Sequence, residues 1–289
     1  MENIISAKND IVFKAVFVRD KELLRGFLND VVGLTIASVD DITILNPEIT
    51  PDLVGQKFAR LDINARAGND NINIEMQTYR DRSFVERDLF YWAKMYSDSL
   101  KGGDDYSDLR RTISVSVLDF NLFDCPGYHS EFCIMEKNRL EVLTDMLSMH
   151  FYELKKIKGI EENLNISDKK LLWLQLIKAN REEEFKMLEE SGNALIRRGV
   201  KTIYDVNADD NVREMIRMEE KRLLDQTYAL NQAKREGREE GIGIGREEGI
   251  GIGREEGIGI GKESERVRLM SLWRDKGFSE EQIKELLGE

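Results

Sequence analysis

Two carboxylates, Asp62 and Glu75, and one amide, Gln77, stand in the one stretch of this chain whose residue types and spacing read as chemistry: LDINARAGNDNINIEMQ, from Leu61 to Gln77. Two runs alternate with period two on either side of Gly68-Asn69. Leu61, Ile63 and Ala65 share a face of the first run, and Ile72, Ile74 and Met76 share one of the second, as in a β-hairpin with one apolar side. Gly68 suits a two-residue turn because it accepts positive φ without a Cβ clash. With Gly68-Asn69 as the loop, Ala67 pairs with Asp70, Asn64 faces Asn73 and Asp62 faces Glu75. Directly opposed residues hold their Cβ atoms about 4.5–5.5 Å apart, and like charges there repel. On a solvated face the repulsion is weak and the pair is ordinary. The alternative is a shared divalent cation, since Mg²⁺ takes hard oxygen ligands from one or two carboxylates and water. Gln77 projects from the same face and could hold a water or a substrate phosphate. Geometry alone favours the solvated face.

The surrounding elements must position that hairpin. Asn9 to Val31 carries Val12, Phe13, Val16, Phe17, Leu24, Phe27 and Leu28 at helical spacing, with Asn9 or Asp10 as N-cap. Ser38 to Leu45 reads as a strand stopped by Asn46-Pro47, and Lys57 to Ala67 and Asp70 to Gln77 as the hairpin strands. Phe84 to Leu100 reads as a helix burying Leu89, Phe90, Trp92, Ala93 and Tyr96. Arg87 and Tyr91, four apart, share a side of it. Arg80 and Arg82 read as surface cations balanced by Asp81, Glu86 and Asp88. Thr112 to Phe120, Tyr128 to Met135 and Leu147 to Leu154 read as further strands.

The wider text resembles a known family. RLDINARAGNDNINIEMQ followed by RDLFYWAKMYSDSL and KGGDDYSDL, with NDIVFKAVF (Asn9 to Phe17) and HFYELKK (His150 to Lys156), looks like the recombination-promoting nuclease and transposase branch of the PD-(D/E)XK nucleases. In that branch Glu-x-Gln stands where Glu-x-Lys is usual, and Glu75-Met76-Gln77 matches it. The resemblance covers about the first 155 residues. It implies an α/β restriction-endonuclease-like αβββαβ core on a mixed sheet, and a metal-dependent DNA endonuclease that hydrolyses phosphodiester bonds. It also implies Mg²⁺ or Mn²⁺ on Asp62 and Glu75, completed by the backbone carbonyl after Glu75 and by waters, with Gln77 orienting the reactants. Asp10 and Arg87 would support the site, although capping is the simpler role for Asp10. The rival expectation is a nuclease-derived scaffold that binds DNA or protein without cutting.

Composition bounds these readings. The net charge is −12, and residues 1–126 hold 15 Lys and Arg against 21 Asp and Glu, so no domain-wide basic footprint marks a nucleic-acid surface. DNA affinity is then expected to be local and salt-sensitive. Cys125 and Cys133 form no CxxC pair, which suits a reducing compartment. His129 and His150, the only histidines, are expected to be polar strand or loop residues, without a zinc site or a catalytic triad. No signal peptide or apolar run of about 20 residues is apparent, so a cytoplasmic protein with no membrane partner is expected.

Four segments follow: a nuclease-like domain at 1–156, a helical region at 157–236, a glycine-rich tether at 237–262 and a helical segment at 263–289. REEGIGIG occurs three times without change from Arg238 to Gly261. Ten glycines between 237 and 261 cost a lone helix on the order of 8–10 kcal/mol relative to alanine, so the stretch is expected to be a flexible linker. The amphipathic helices beyond it, with a turn at Asp275 to Gly277 and a cap at Ser279, are expected to drive homo-oligomer formation.

Overall fold

The computed structural model describes residues 4–45, 48–49, 59–60, 62–160 and 167–288. Leu61, the Asn46-Pro47 stop and the first residues of the expected Lys57 strand lie outside them.

Asn9 caps α1 (Asp10–Arg19), its Oδ1 accepting from the amides of Ile11 at 3.0 Å and Val12 at 3.2 Å. The single helix expected to Val31 is broken at Asp20, whose carboxylate caps α2 (Lys21–Phe27) through the amides of Glu22 and Leu23. A second capping side chain inside the apolar period resets the helix, which then ends in a π-turn closed by Gly33 at φ 87°.

The short strand β1 (Ile42–Ile44) follows, and then a two-residue ladder of β2 (Glu48–Ile49) with β3 (Ala59–Arg60). The hairpin is β4 (Ile63–Ala67) and β5 (Asp70–Gln77), in the register derived above: Ala67 opposite Asp70 and Asn64 opposite Asn73, with Gly68 at φ 57°. Then come α3 (Phe84–Ser97), β6 (Thr112–Leu118), β7 (His129–Met135) and β8 (Val142–Glu153). The six-stranded sheet runs β1-β4-β5-β6-β8-β7. It is mixed, β5–β6 and β6–β8 being parallel and the other neighbours antiparallel.

One face of the sheet is apolar. Ile63, Ala65, Ile72, Ile74, Met76, Ile113, Val115 and Val117 join a core with Phe13, Phe17 and Phe27. Trp173 completes it from α4 (Lys169–Lys178), its Nε1 donating to Asp30 Oδ2 at 3.0 Å. With α5 (Glu182–Glu189) and α6 (Ala194–Ala208), α4 packs on α1 and α2. Gly199 marks a close approach, since a Cβ there would meet Leu176 at 2.5 Å. The other face splits in two: Leu118, Leu147, Met149 and Phe151 pack under Phe84, while Asn71, Asn73, Glu75, Ser114 and Ser116 form a polar strip beneath α3.

Two compact units are formed, Met1–Arg217 and Met218–Glu289. The expected flexible linker is instead helical: α7 runs unbroken from Asp210 to Asp275, through all three repeats. Helix on both sides of the repeats offsets the nucleation cost that an isolated segment would carry, leaving only propagation. Nothing lies within 4 Å of where a Cβ would sit on any repeat glycine, so no packing within the chain offsets the glycine cost. A peptide of residues 237–262 is therefore expected to show a coil spectrum by circular dichroism in dilute solution; a helical spectrum there would mean the repeat is helical by itself. After the turn at Gly277, Ser279 caps α8 (Glu280–Leu287), which buries Ile283. Among the described residues no helix is long and apolar enough to cross a membrane.

Candidate functional site

Glu75 lies on the polar strip of β5 and is 6% exposed. The period-two pattern puts it opposite the core face, but α3 roofs that face, so it is not solvated as geometry alone had suggested. Asn73 Nδ2 donates to Glu75 Oε1 at 3.2 Å, while the buried Oδ1 of Asn73 has no partner among the described residues. Burial pushes the Glu75 carboxyl well above the usual range, and the charge of Asp62 pushes it further. The Asn73 bond lowers it, Asp88 raises it, and Arg87 lowers it from a distance.

Asp62 sits just before β4, where the hairpin register brings it toward Glu75. Its Oδ2 accepts from the Met76 amide at 2.7 Å, taking the place a strand carbonyl would hold. The carboxylate is tied to the backbone that carries Glu75, which fixes the separation of the two acids.

Gln77 ends β5. Its Oε1 accepts from Arg87 Nη2 at 3.2 Å, and Arg87 Nη1 pairs with Asp81 at 3.1 Å. Arg87 therefore stands beside Gln77, and Asp81 is its counter-ion, rather than a partner of Arg80 or Arg82. Tyr91 faces the same group: burial raises its phenol, Arg87 lowers it, and Glu75, Asp62 and Asp88 raise it.

Sequence reasoning missed Asp88. It is buried, with Ser114 Oγ donating at 2.6 Å and Ser116 Oγ at 3.2 Å. Burial raises its carboxyl against the pull of both serines and Arg87. The buried face of α3 is Phe84, Asp88 and Met95, whereas Leu89 and Phe90, expected inside, are 47% and 41% exposed. An acid in step with Phe84 and Met95 was the available signal. The strip below α3 is polar, so the helix turns a polar residue toward it.

Asp10 is exposed in the first turn of α1, its carboxylate accepting from the Ile11 amide at 2.9 Å; the cap itself is Asn9. His129 and His150 are strand residues, on β7 and β8, and their Nε2 and Nδ1 are 3.2 Å apart, a proximity that sequence separation concealed.

Three acids thus surround a buried strip with one nearby guanidinium, itself paired. A divalent cation fits this donor set. It would offset the repulsion between Asp62 and Glu75 and give the buried Glu75 carboxylate a counter-ion. Asp62, Glu75 and Asp88 do not converge as three ligands; among the described residues the only group of three or more convergent side chains is His129, Glu131 and His150.

A family model for PD-(D/E)XK nuclease family transposases matches residues 7–233. The chain belongs to that family. No curated protein and no solved structure matches it. The mixed sheet flanked by helices is consistent with a PD-(D/E)XK fold, and the match extends beyond the resemblance seen in the first 155 residues, through α4 to α6 and into α7. Family membership points to a nuclease or transposase-like function.

Proposed function

We propose that the protein is a divalent-metal-dependent DNA endonuclease of the cytoplasm, with Asp62 and Glu75 as the metal-holding pair. The observation that carries this reading is the buried, charge-coupled Glu75 tied through Met76 to Asp62, a costly arrangement for a solvent face or a packing core. Mg²⁺ or Mn²⁺ there would supply a bound water of lowered pKa and neutralise charge on the scissile phosphate. Asp62 and Glu75 hold the ion's side of the site. Gln77, at the open end of β5, orients the attacking water or the phosphate by hydrogen bonding. Arg87 supplies the positive charge that an amide lacks, Asp88 holds α3 down on β6 through the two serines, and Asp10 stays an exposed acid of the first turn of α1.

Support for a nucleic-acid substrate comes from the link after Gln77, where Arg80 and Arg82 are exposed beside the site. These few cations on an acidic protein make binding steeply salt-dependent. The exposed Leu223, Leu224, Leu230 and repeat isoleucines of α7 favour assembly of a second copy along that helix.

Plasmid cleavage with Mg²⁺, Mn²⁺, Ca²⁺ or EDTA, beside an Asp62→Ala protein, tests the reading. Cutting is expected with Mg²⁺ or Mn²⁺ alone and only with Asp62 intact. If no metal gives Asp62-dependent cutting, the non-catalytic scaffold replaces the nuclease, a reading favoured by Gln77 in the motif's third position and by the net negative charge.

A further inference from the structure

On the sheet face away from Glu75, β8, two strands across from β5, meets the edge strand β7 at a second polar cluster. Glu131 pairs in register with His150, and His129 with Tyr152. His129 Nε2 lies 3.2 Å from His150 Nδ1, and the Ser148 hydroxyl lies 2.8 Å from His150 Nε2. The same hydroxyl donates to Glu131 Oε1 at 3.4 Å. Having spent its proton on Glu131, Ser148 accepts from His150 Nε2–H, so Nδ1 of His150 carries the lone pair and points at His129.

We infer that His129, His150 and Glu131 form a binding site for a late first-row divalent ion of the Zn²⁺ class, separate from the acidic site under α3. One ligand atom from each residue lies within 4.8 Å of the others. Two imidazole nitrogens on one tetrahedral ion, each at about 2.0–2.1 Å, stand roughly 3.3 Å apart, close to the separation seen here. The ion takes the place of the proton shared between the rings. His150 is buried and donates its other N–H to a fixed hydroxyl backed by a carboxylate, the outer partner that orients a metal-bound histidine. Stacking on Tyr152, with ring centroids 4.4 Å apart, holds the His129 ring in place. Glu131 is exposed and leaves an entry path and an open position for water. Two nitrogen donors select Zn²⁺, Co²⁺ or Ni²⁺ over Mg²⁺, whose preference is oxygen. Lys170 and Arg111 are the nearby cations, and among the described residues Glu131 is the one acid facing the pair, so its carboxylate is needed for charge balance. Bound there, the ion ties the unprotected edge strand to its neighbour.

The test is titration of the metal-stripped full chain with Co²⁺, followed by visible absorption, with Zn²⁺ as competitor. In wild type and Asp62→Ala alike, one equivalent of Co²⁺ is expected to give an intense tetrahedral band that Zn²⁺ abolishes. His129→Gln, a change at a half-buried position, is expected to lose the band while keeping its melting temperature in EDTA. Glu131→Gln, at an exposed position, is expected to weaken Co²⁺ binding at least tenfold, and it decides the matter if His129→Gln does not fold. Ser148→Ala is expected to weaken binding by about 10–100-fold. Absence of the band in wild type, its loss in Asp62→Ala, or its persistence in both His129→Gln and Glu131→Gln would overturn the site.

Discussion

Glu75→Gln is expected to make the metal-free protein more stable and at the same time to stop it cutting DNA. The amide is nearly isosteric and can still accept from Asn73 Nδ2, so packing is kept. What it removes is a carboxylate that burial and Asp62 hold in its protonated form well above the usual range. A group whose folded pKa is raised stabilises the fold below its unfolded pKa, and that contribution is lost as pH rises through the folded value. Metal-free wild type should therefore melt no lower than the variant below about pH 4.5, and progressively lower above it, by a few degrees at neutral pH. Added Mn²⁺ should reverse the order, since an ion that binds only the folded, ionised site stabilises by mass action. Its apparent affinity should rise with pH, because each ion bound displaces the proton of Glu75. Single-turnover cleavage by Glu75→Gln should fall about 10³-fold or more, the several kcal/mol expected of a lost metal. A variant less stable than wild type without metal, or one that still melts higher with Mn²⁺, would remove Glu75 from the metal site.

Arg87→Ala should lower single-turnover cleavage by about 10²-fold, the usual loss when a charge-stabilising donor is removed from a transition state. Arg87 Nη2 is 3.2 Å from Gln77 Oε1, so the guanidinium stands where a lysine in the motif's third position would place its charge. The sequence alone suggests that Gln77→Lys would be tolerated or faster. With Arg87 in place the new ammonium meets a cation at hydrogen-bond distance, so the single variant should be slower than wild type. In the Arg87→Ala background Gln77→Lys should recover much of the lost rate. Saturating enzyme keeps binding changes out of the measurement. If the double variant is no faster than Arg87→Ala alone, the two side chains do not share one role.

The local pattern alone carried much of the hairpin. Period-two alternation and one glycine at the turn determined which residues of β4 and β5 face each other, because register in a two-residue hairpin follows from the loop. The same alternation told which side of β5 Glu75 occupies. Whether that side is wet depends on what covers it, and only the tertiary structure lays α3 across the strip. That covering makes Glu75 a buried and costly acid and brings Asp88 down onto Ser114 and Ser116, 26 and 28 residues away. It also turned the wrong-looking face of α3 inward: Leu89 and Phe90 read as core by hydrophobicity, yet the sheet below offers asparagine, glutamate and serine.

Helix continuity shows the opposite balance. Glycine content argued for a coil between 237 and 262, and propensity per residue does argue that, but helix on both sides carries α7 through it. Asn9 and Ser279 mark helix starts by their own side chains, because a cap needs only the next three residues, whereas Asp20, inside a continuous apolar period, shows itself as a cap only in the structure. The histidines needed the whole sheet. Twenty-one residues separate His129 from His150, and neither neighbourhood hints at the other. Antiparallel pairing of β7 with β8 places them side by side, and a metal-ligand geometry of that kind belongs to the pairing of strands rather than to any spacing along the chain.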